Sequence, residues 1–470
     1  MIGGLLKSTS SLAILAAAGL LVGGVTLAPK AARAADLGGD CCADLEERVA
    51  NLEATTVKKG NRKVSLTLSG RVAYTVMYFS DNSSPAANAA NGAAPVTTDS
   101  KSDFLAGTDH SGNGPALFFD GTGKVSSDTV IGYHMEIDFG LTGSTSQNTR
   151  QGGTGIGYGD NFIYISSKSL GRVNLGSLNG VVDDFGGEGF ATGYVVGMQG
   201  SLRGASGFWL RDSAGLNSGI KYNASFFSGL DTNRDTGIKY ISPAFANWLT
   251  FEAAYTGDHS YSVGALLSGN VSKTLAVKLG AAYATSSEGD GLAGGAQAKI
   301  NQNGTANTWT VSGGLNETTS GLFLQGDYAV AYANGNAANT SVTAATLATL
   351  ATGGSITVTG GAAASPASLA HLSDMNTWEI LGGWHKNVNS IGVTEVWGSY
   401  QHSSNQYADG SSGAAYQIGI DQAIDSASAH LFLTYENYAA SLPAGTVDGA
   451  GNTIADQNLS TLVGGMSITF

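Results

Sequence analysis

Cysteine is almost missing from this chain. Its 470 residues hold two, Cys41 and Cys42, side by side. A disulfide-stapled core and a cysteine-built metal site are thereby excluded. Histidines are few and scattered (His110, His134, His259, His371, His385, His402 and His430), and neither an HExxH helix nor a G-x-S-x-G elbow occurs. The chain therefore reads as a non-enzyme with no metal and no cofactor. Basic residues are scarce as well: 23 Lys and Arg stand against 36 Asp and Glu. Nucleic acid is a poor partner for such a chain, because phosphate binding needs clustered cations. Long apolar runs are also lacking. After the first thirty-odd residues none approaches the ~20 residues of a spanning helix, which removes helical membrane bundles.

What is present begins with an export signal. Lys7, an apolar stretch from Ser11 to Ala28 and the small-residue site Ala32-Arg33-Ala34 place a cleaved segment at residues 1–34. Its loss takes away Lys7, Lys30 and Arg33 and no acid, so the mature chain is more acidic still. Residues 35–60 then form a short periplasmic segment. Within it Leu45, Val49 and Leu52 recur at spacings of four and three, the seam of a coiled coil. Cys42 falls seven before Val49 and so points into that seam, where subunit-bridging disulfides with Cys41 or Cys42 suit an oxidising compartment.

From residue 61 to residue 470 the period is two. Leu66, Leu68, Val72, Tyr74, Val76 and Tyr78 share one face, and Ser65, Thr67, Ser69, Arg71 and Thr75 the other. Ile131, Tyr133, Met135, Ile137 and Phe139 oppose His134, Glu136 and Asp138. The same pattern recurs at Thr274 to Tyr283, Leu322 to Tyr332, Trp378 to His385 and Ala429 to Glu436. Apolar-out, polar-in alternation over ten or more residues marks tilted transmembrane strands, since a soluble sandwich strand is shorter, about 5–6 residues. Short links, such as Ser127-Asp128 and Ile424-Asp425, alternate with long ones at Asp81 to Gly114, Ser286 to Gly304 and Asn334 to Ser373. The fold expected is all-β, a transmembrane antiparallel β-barrel of about sixteen strands with a short N-terminal coiled-coil helix. Its last strand ends on Phe470, an aromatic carboxyl terminus of the kind that serves as a signal to the barrel assembly machinery.

The opening Ala35-Asp36-Leu37-Gly38-Gly39-Asp40-Cys41-Cys42-Ala43-Asp44-Leu45-Glu46-Glu47-Arg48, together with Lys59-Gly60-Asn61-Arg62-Lys63-Val64, Gly171-Arg172-Val173-Asn174-Leu175-Gly176 and Phe208-Trp209-Leu210-Arg211-Asp212, resembles the alphaproteobacterial porin family. The likeness extends over nearly the whole mature chain. It implies a sixteen-stranded barrel of the bacterial outer membrane, a homotrimer embedded in lipid, passing small polar solutes and ions by diffusion. It also implies that one long link folds inward to narrow the channel. The stretch at about residues 179–234 is the candidate. Asp183, Asp184 and Glu188 resemble the acidic tip of that loop. Arg71, Arg203, Arg211 and Lys278 are the candidate basic partners across the lumen, where facing charges would set a transverse field. A solute-selective channel on the same barrel and a plugged, structural or adhesive surface barrel stay open as alternatives.

Overall fold

The computed structural model describes residues 63–81, 102–108, 115–141, 154–191, 208–213, 215, 217–222, 226–227, 234–257, 260–286, 306–332, 373–447 and 452–470. The export signal, the coiled-coil stretch with Cys41, Cys42, Leu45, Val49 and Leu52, and Arg203 lie outside these residues.

The chain runs through β1 (Thr67–Asp81), β2 (Ser102–Thr108), β3 (Ala116–Lys124), β4 (Thr129–Leu141), β5 (Thr154–Ser167) and β6 (Gly171–Leu178). A one-turn helix, α1 (Val181–Phe185), and a small hairpin, β7 (Trp209–Arg211) with β8 (Asn217–Lys221), follow. Then come β9 (Asp235–Ile241), β10 (Leu249–Thr256), β11 (Tyr261–Asn270), β12 (Leu275–Ser286), β13 (Ala306–Glu317) and β14 (Leu322–Ala331). The last five are β15 (Met375–Lys386), β16 (Thr394–Ser404), β17 (Ser412–Ile424), β18 (Ala429–Ser441) and β19 (Gln457–Thr469).

Apart from β7 and β8, every strand belongs to one antiparallel sheet of 17 segments, and β1 pairs with β19 to close it. Two segments share a single place in the wall. β2 pairs with Tyr74 to Ser80 of β1, and β3 pairs with Thr67 to Arg71 of the same strand. The closed barrel therefore has sixteen strand positions. Part of the link Asp81 to Gly114, expected as loop, is strand: β2 extends the wall beside the upper half of β1.

Closure is completed by the carboxyl-terminal residue. Gly70 donates its amide to the carbonyl of Phe470, and Phe470 returns the same bond, each at 2.9 Å. The Phe470 ring lies over Gly70, where a Cβ would stand 2.6 Å from Cζ. Only glycine admits this contact, an aromatic ring covering a bare stretch of strand. Joining the edges removes the unpaired backbone that an open sheet would expose.

The two faces differ in chemistry. Leu68, Val72, Tyr74, Val76, Ile131, Met135, Ile163, Leu279, Leu324, Ile380, Ile418 and Met466 all point outward and are exposed. Such a band far exceeds the apolar patches of a soluble monomer, typically a few hundred Å², and matches the lipid-facing belt of a membrane barrel. Near the ends that carry the long links it is edged by aromatic pairs, including Tyr255–Tyr261 at 5.0 Å and Trp378–Tyr400 at 5.4 Å. The inner face departs from simple alternation. Met77, Phe79, Leu381, Trp397, Phe432 and Val463 point inward, yet they are apolar and buried. A second structure inside the barrel covers them.

Candidate functional site: the lumen and the segment folded into it

The described residues between β6 and β9 lie against the inner face of the barrel. It first forms α1, whose Val181, Val182 and Phe185 pack on the inward residues Ala254, Ala282 and Ala284. Gly264 lets the helix come this close, because a Cβ there would stand 2.3 Å from the Phe185 ring. The inner wall then supplies polar pins. Ser312 Oγ donates to the Phe185 carbonyl at 2.5 Å and accepts the Glu188 amide at 3.1 Å. Gln325 Oε1 accepts the amides of Phe190 and Ala191 at 2.7 and 2.9 Å. Among groups that would otherwise go unsatisfied, each such bond is worth roughly 0.5–1.5 kcal/mol net.

The acidic residues of this stretch are held by cations of the wall behind them. Asp184 pairs with Lys239 of β9, whose side chain is buried. Glu188 pairs with Lys278 of β12 at 3.1 Å, and the same ammonium lies 5.6 Å from the Phe190 ring centre. Asp183 is half-buried in the first turn of α1. Three sequence-predicted acids are thus gathered along β9 to β13. Lys278 stands beside Glu188 rather than across the lumen from it.

The β7–β8 hairpin docks on the remaining covered wall. Phe208, Leu210, Ile220, Tyr222, Phe226 and Phe227 are fully buried against Met77, Phe79, Trp397, Phe432, Tyr438 and Val463. At about 1.5–3 kcal/mol per buried large apolar side chain, this surface fixes the hairpin in place. Arg211 completes the anchorage. Its side chain is 3% exposed and donates from Nε to Asp81 Oδ2 at 2.9 Å. Its amide donates to Gln457 Oε1 at 2.8 Å, and the Gln457 amide group returns a bond to its carbonyl. Arg211 therefore faces Asp81 inside this packed layer, not the acidic stretch around α1.

One sector of wall stays open. Beneath the covered residues Ala73 to Phe79 of β1, Arg71 and inward residues of β3 and β4 keep contact with the interior: side-chain exposure is 22% for Arg71, 23% for His134 and 47% for Asp120. On the covered side Gln401 and Thr434 are at 0%. Arg71 lies 3.7 Å from Glu136 and 5.4 Å from the Phe118 ring centre. In strand order β1 is diametrically opposite β12, so Arg71 faces the wall that carries Glu188 and Lys278.

Sequence reasoning missed the pins Ser312, Gln325, Asp81 and Gln457. Their inward parity is legible, but the partner of Gln325 lies 135 residues earlier in the chain, and no local pattern signals that.

No family model matches the sequence, and no curated protein matches it. The fold is similar to solved structures of outer-membrane proteins. One is a loop L8 deletion mutant of OmpT of Vibrio cholerae, 11% identical, with 87% of this chain and 100% of that one covered at a TM-score of 0.49. Another is an anion-selective porin from Comamonas acidovorans, 14% identical, with coverage of 87% and 100% and a TM-score of 0.49. A third is the outer-membrane channel DcaP of Acinetobacter baumannii, 11% identical, with coverage of 88% and 99% and a TM-score of 0.46.

Proposed function

We propose that the chain is a porin of the bacterial outer membrane, a water-filled channel for passive diffusion of small hydrophilic solutes and ions. One observation carries this reading: Arg71, His134 and Asp120 on the inner wall keep 22%, 23% and 47% of their side-chain surface exposed, although much of the rest of the wall is covered by the inward segment. A barrel whose lumen was plugged would bury both sectors, so the structural or adhesive alternative is disfavoured. The apolar outer belt supports the membrane setting. The resemblance of the opening residues and of Phe208 to Asp212 to alphaproteobacterial porins supports the general-diffusion class, the homotrimer and export through residues 1–34.

In this reading the segment at 179–234 narrows the channel. Asp183, Asp184 and Glu188 form its acidic side and Arg71 the facing basic side. Between them a field would act across the lumen and orient dipolar solutes. Arg211 serves the constriction as an anchor. Liposomes carrying the reconstituted protein should swell in a pentose and swell progressively more slowly in larger oligosaccharides. Swelling that is absent for every sugar would remove the diffusion channel.

A further inference from the structure

The open sector of the lumen wall carries a continuous ribbon of rings with a guanidinium at each end. It starts at Arg71 of β1, 5.4 Å from the centre of Phe118 on β3. Phe118 stacks on His134 of β4 with centroids 6.1 Å apart and planes at 27°. His134 stacks on Phe162 of β5 at 5.4 Å and 28°. Arg172 of β6 closes the ribbon, 5.2 Å from the Phe162 centre and 3.8 Å from that of Tyr164. Cross-strand register produces this line: Ser69 pairs with Phe118, Glu136 with Phe118, and His134 with Phe162. None of these rings is buried.

Nothing in the barrel's stability asks for such a row on a wall that faces water. A structural ring would sit under the inward segment, as Phe432 and Trp397 do. The charges along the ribbon are mostly engaged. Asp120 lies 2.8 Å from His134 Nδ1, and Glu136 pairs with Arg71. Arg172 differs, because no carboxylate among the described residues stands within ion-pair distance of it, and Asp120 attracts it only at longer range. Its Nε donates to Asn174 Oδ1 at 2.6 Å, and Tyr164 covers its face. The edge of the guanidinium keeps donors arranged for the bidentate capture of a carboxylate.

We propose that this ribbon is a solute-binding track for small aromatic carboxylates, with the ring stacked along Phe118, His134 and Phe162 and the carboxylate on Arg172. Offset stacking adds to area burial, so the ring and the charge together bind where either alone does not. Arg172 follows the short link after Ser167, so the track lies at the end of the lumen that carries the short turns. The proposal rests on the channel reading only for its biological meaning, since binding to the wall is measurable without conductance.

The test is a ligand-observed NMR titration of the folded barrel in lipid nanodiscs. Three probes separate ring from charge: benzoate carries both, benzamide only the ring, acetate only the charge. Benzoate should bind saturably and at least tenfold more tightly than either other probe. Arg172→Gln should weaken benzoate about tenfold, the loss of one charge-assisted pair. Phe162→Leu should weaken benzoate and leave acetate unchanged. Circular dichroism checks that each variant keeps its strands, and either variant alone suffices if the other fails to fold. Absence of saturable benzoate binding, equal binding of benzoate and acetate, or wild-type affinity in both variants would overturn the track. Planar-bilayer conductance on the same samples reads the channel separately. Conductance without benzoate binding sinks only the track, and binding without conductance sinks only the channel.

Discussion

Arg211 illustrates how a single residue takes its role from its surroundings. Sequence alone marks it as a cation beside a long inward link. Burial to 3% and the 2.9 Å contact with Asp81 turn it into an anchor. Removing one partner strands the other in a dry layer, a loss of roughly 3–5 kcal/mol in comparable cases. Asp81→Asn should therefore lower the midpoint of urea unfolding strongly, and the double variant Asp81→Asn with Arg211→Met should lose less than the sum of the two single losses. Strict additivity would mean that the pair is not coupled. Asp128, in the exposed turn before β4, offers a milder case. Hydrogen bonding from Ser167 lowers its pKa most, Ser169 adds to this, and partial desolvation opposes both. A depressed folded pKa contributes stability above the ordinary carboxylate range, and that contribution is lost as pH falls through the lowered folded value. Ser167→Ala should flatten the acid limb of unfolding measured from neutral pH downward. An unchanged limb would place the sensitivity elsewhere.

At the scale of elements, the strands were the legible part and the insertion the illegible one. Alternation at Ile131 to Phe139 and at Leu322 to Tyr332 read directly as wall, because period two follows from strand geometry alone. The short links Ser127-Asp128 and Ile424-Asp425 were legible for the same reason, and they fall in or beside the observed links 125–128 and 425–428. β2 was hidden in the middle of a long link, since β3 begins only at Ala116, opposite Arg71, and leaves the rest of β1 to β2. The hairpin β7–β8 was hidden because its apolar residues answer to Met77, Phe79 and Phe432, which are distant in sequence. The acids of α1 have an electrical consequence. Asp183→Asn with Asp184→Asn removes negative charge and leaves Lys239 without its partner, so the reversal potential in a salt gradient should move towards anions. An unmoved potential would show that these carboxylates do not border the ion path. For the segment ahead of β1, the seam of Leu45, Val49 and Leu52 predicts a covalent oligomer on non-reducing gels that Cys42→Ser abolishes. A monomer in both lanes would remove that seam.

The whole molecule is a closed wall with one face given to lipid and the other divided. Part of the inner surface holds a segment of the protein's own chain, and another part, with Arg71, Asp120 and His134, faces the interior. Gly70 and Phe470 seal the cylinder, and Gly70→Val should prevent the ring from seating. Heat-modified gel mobility would then show less folded barrel. The central claim is that the uncovered sector borders a continuous aqueous path. Single-channel recording in a planar bilayer tests it most directly. Stepwise conductance is expected, grouped in three equal sub-steps if three barrels insert together. Purified, folded protein that inserts and gives no conductance at all would contradict it.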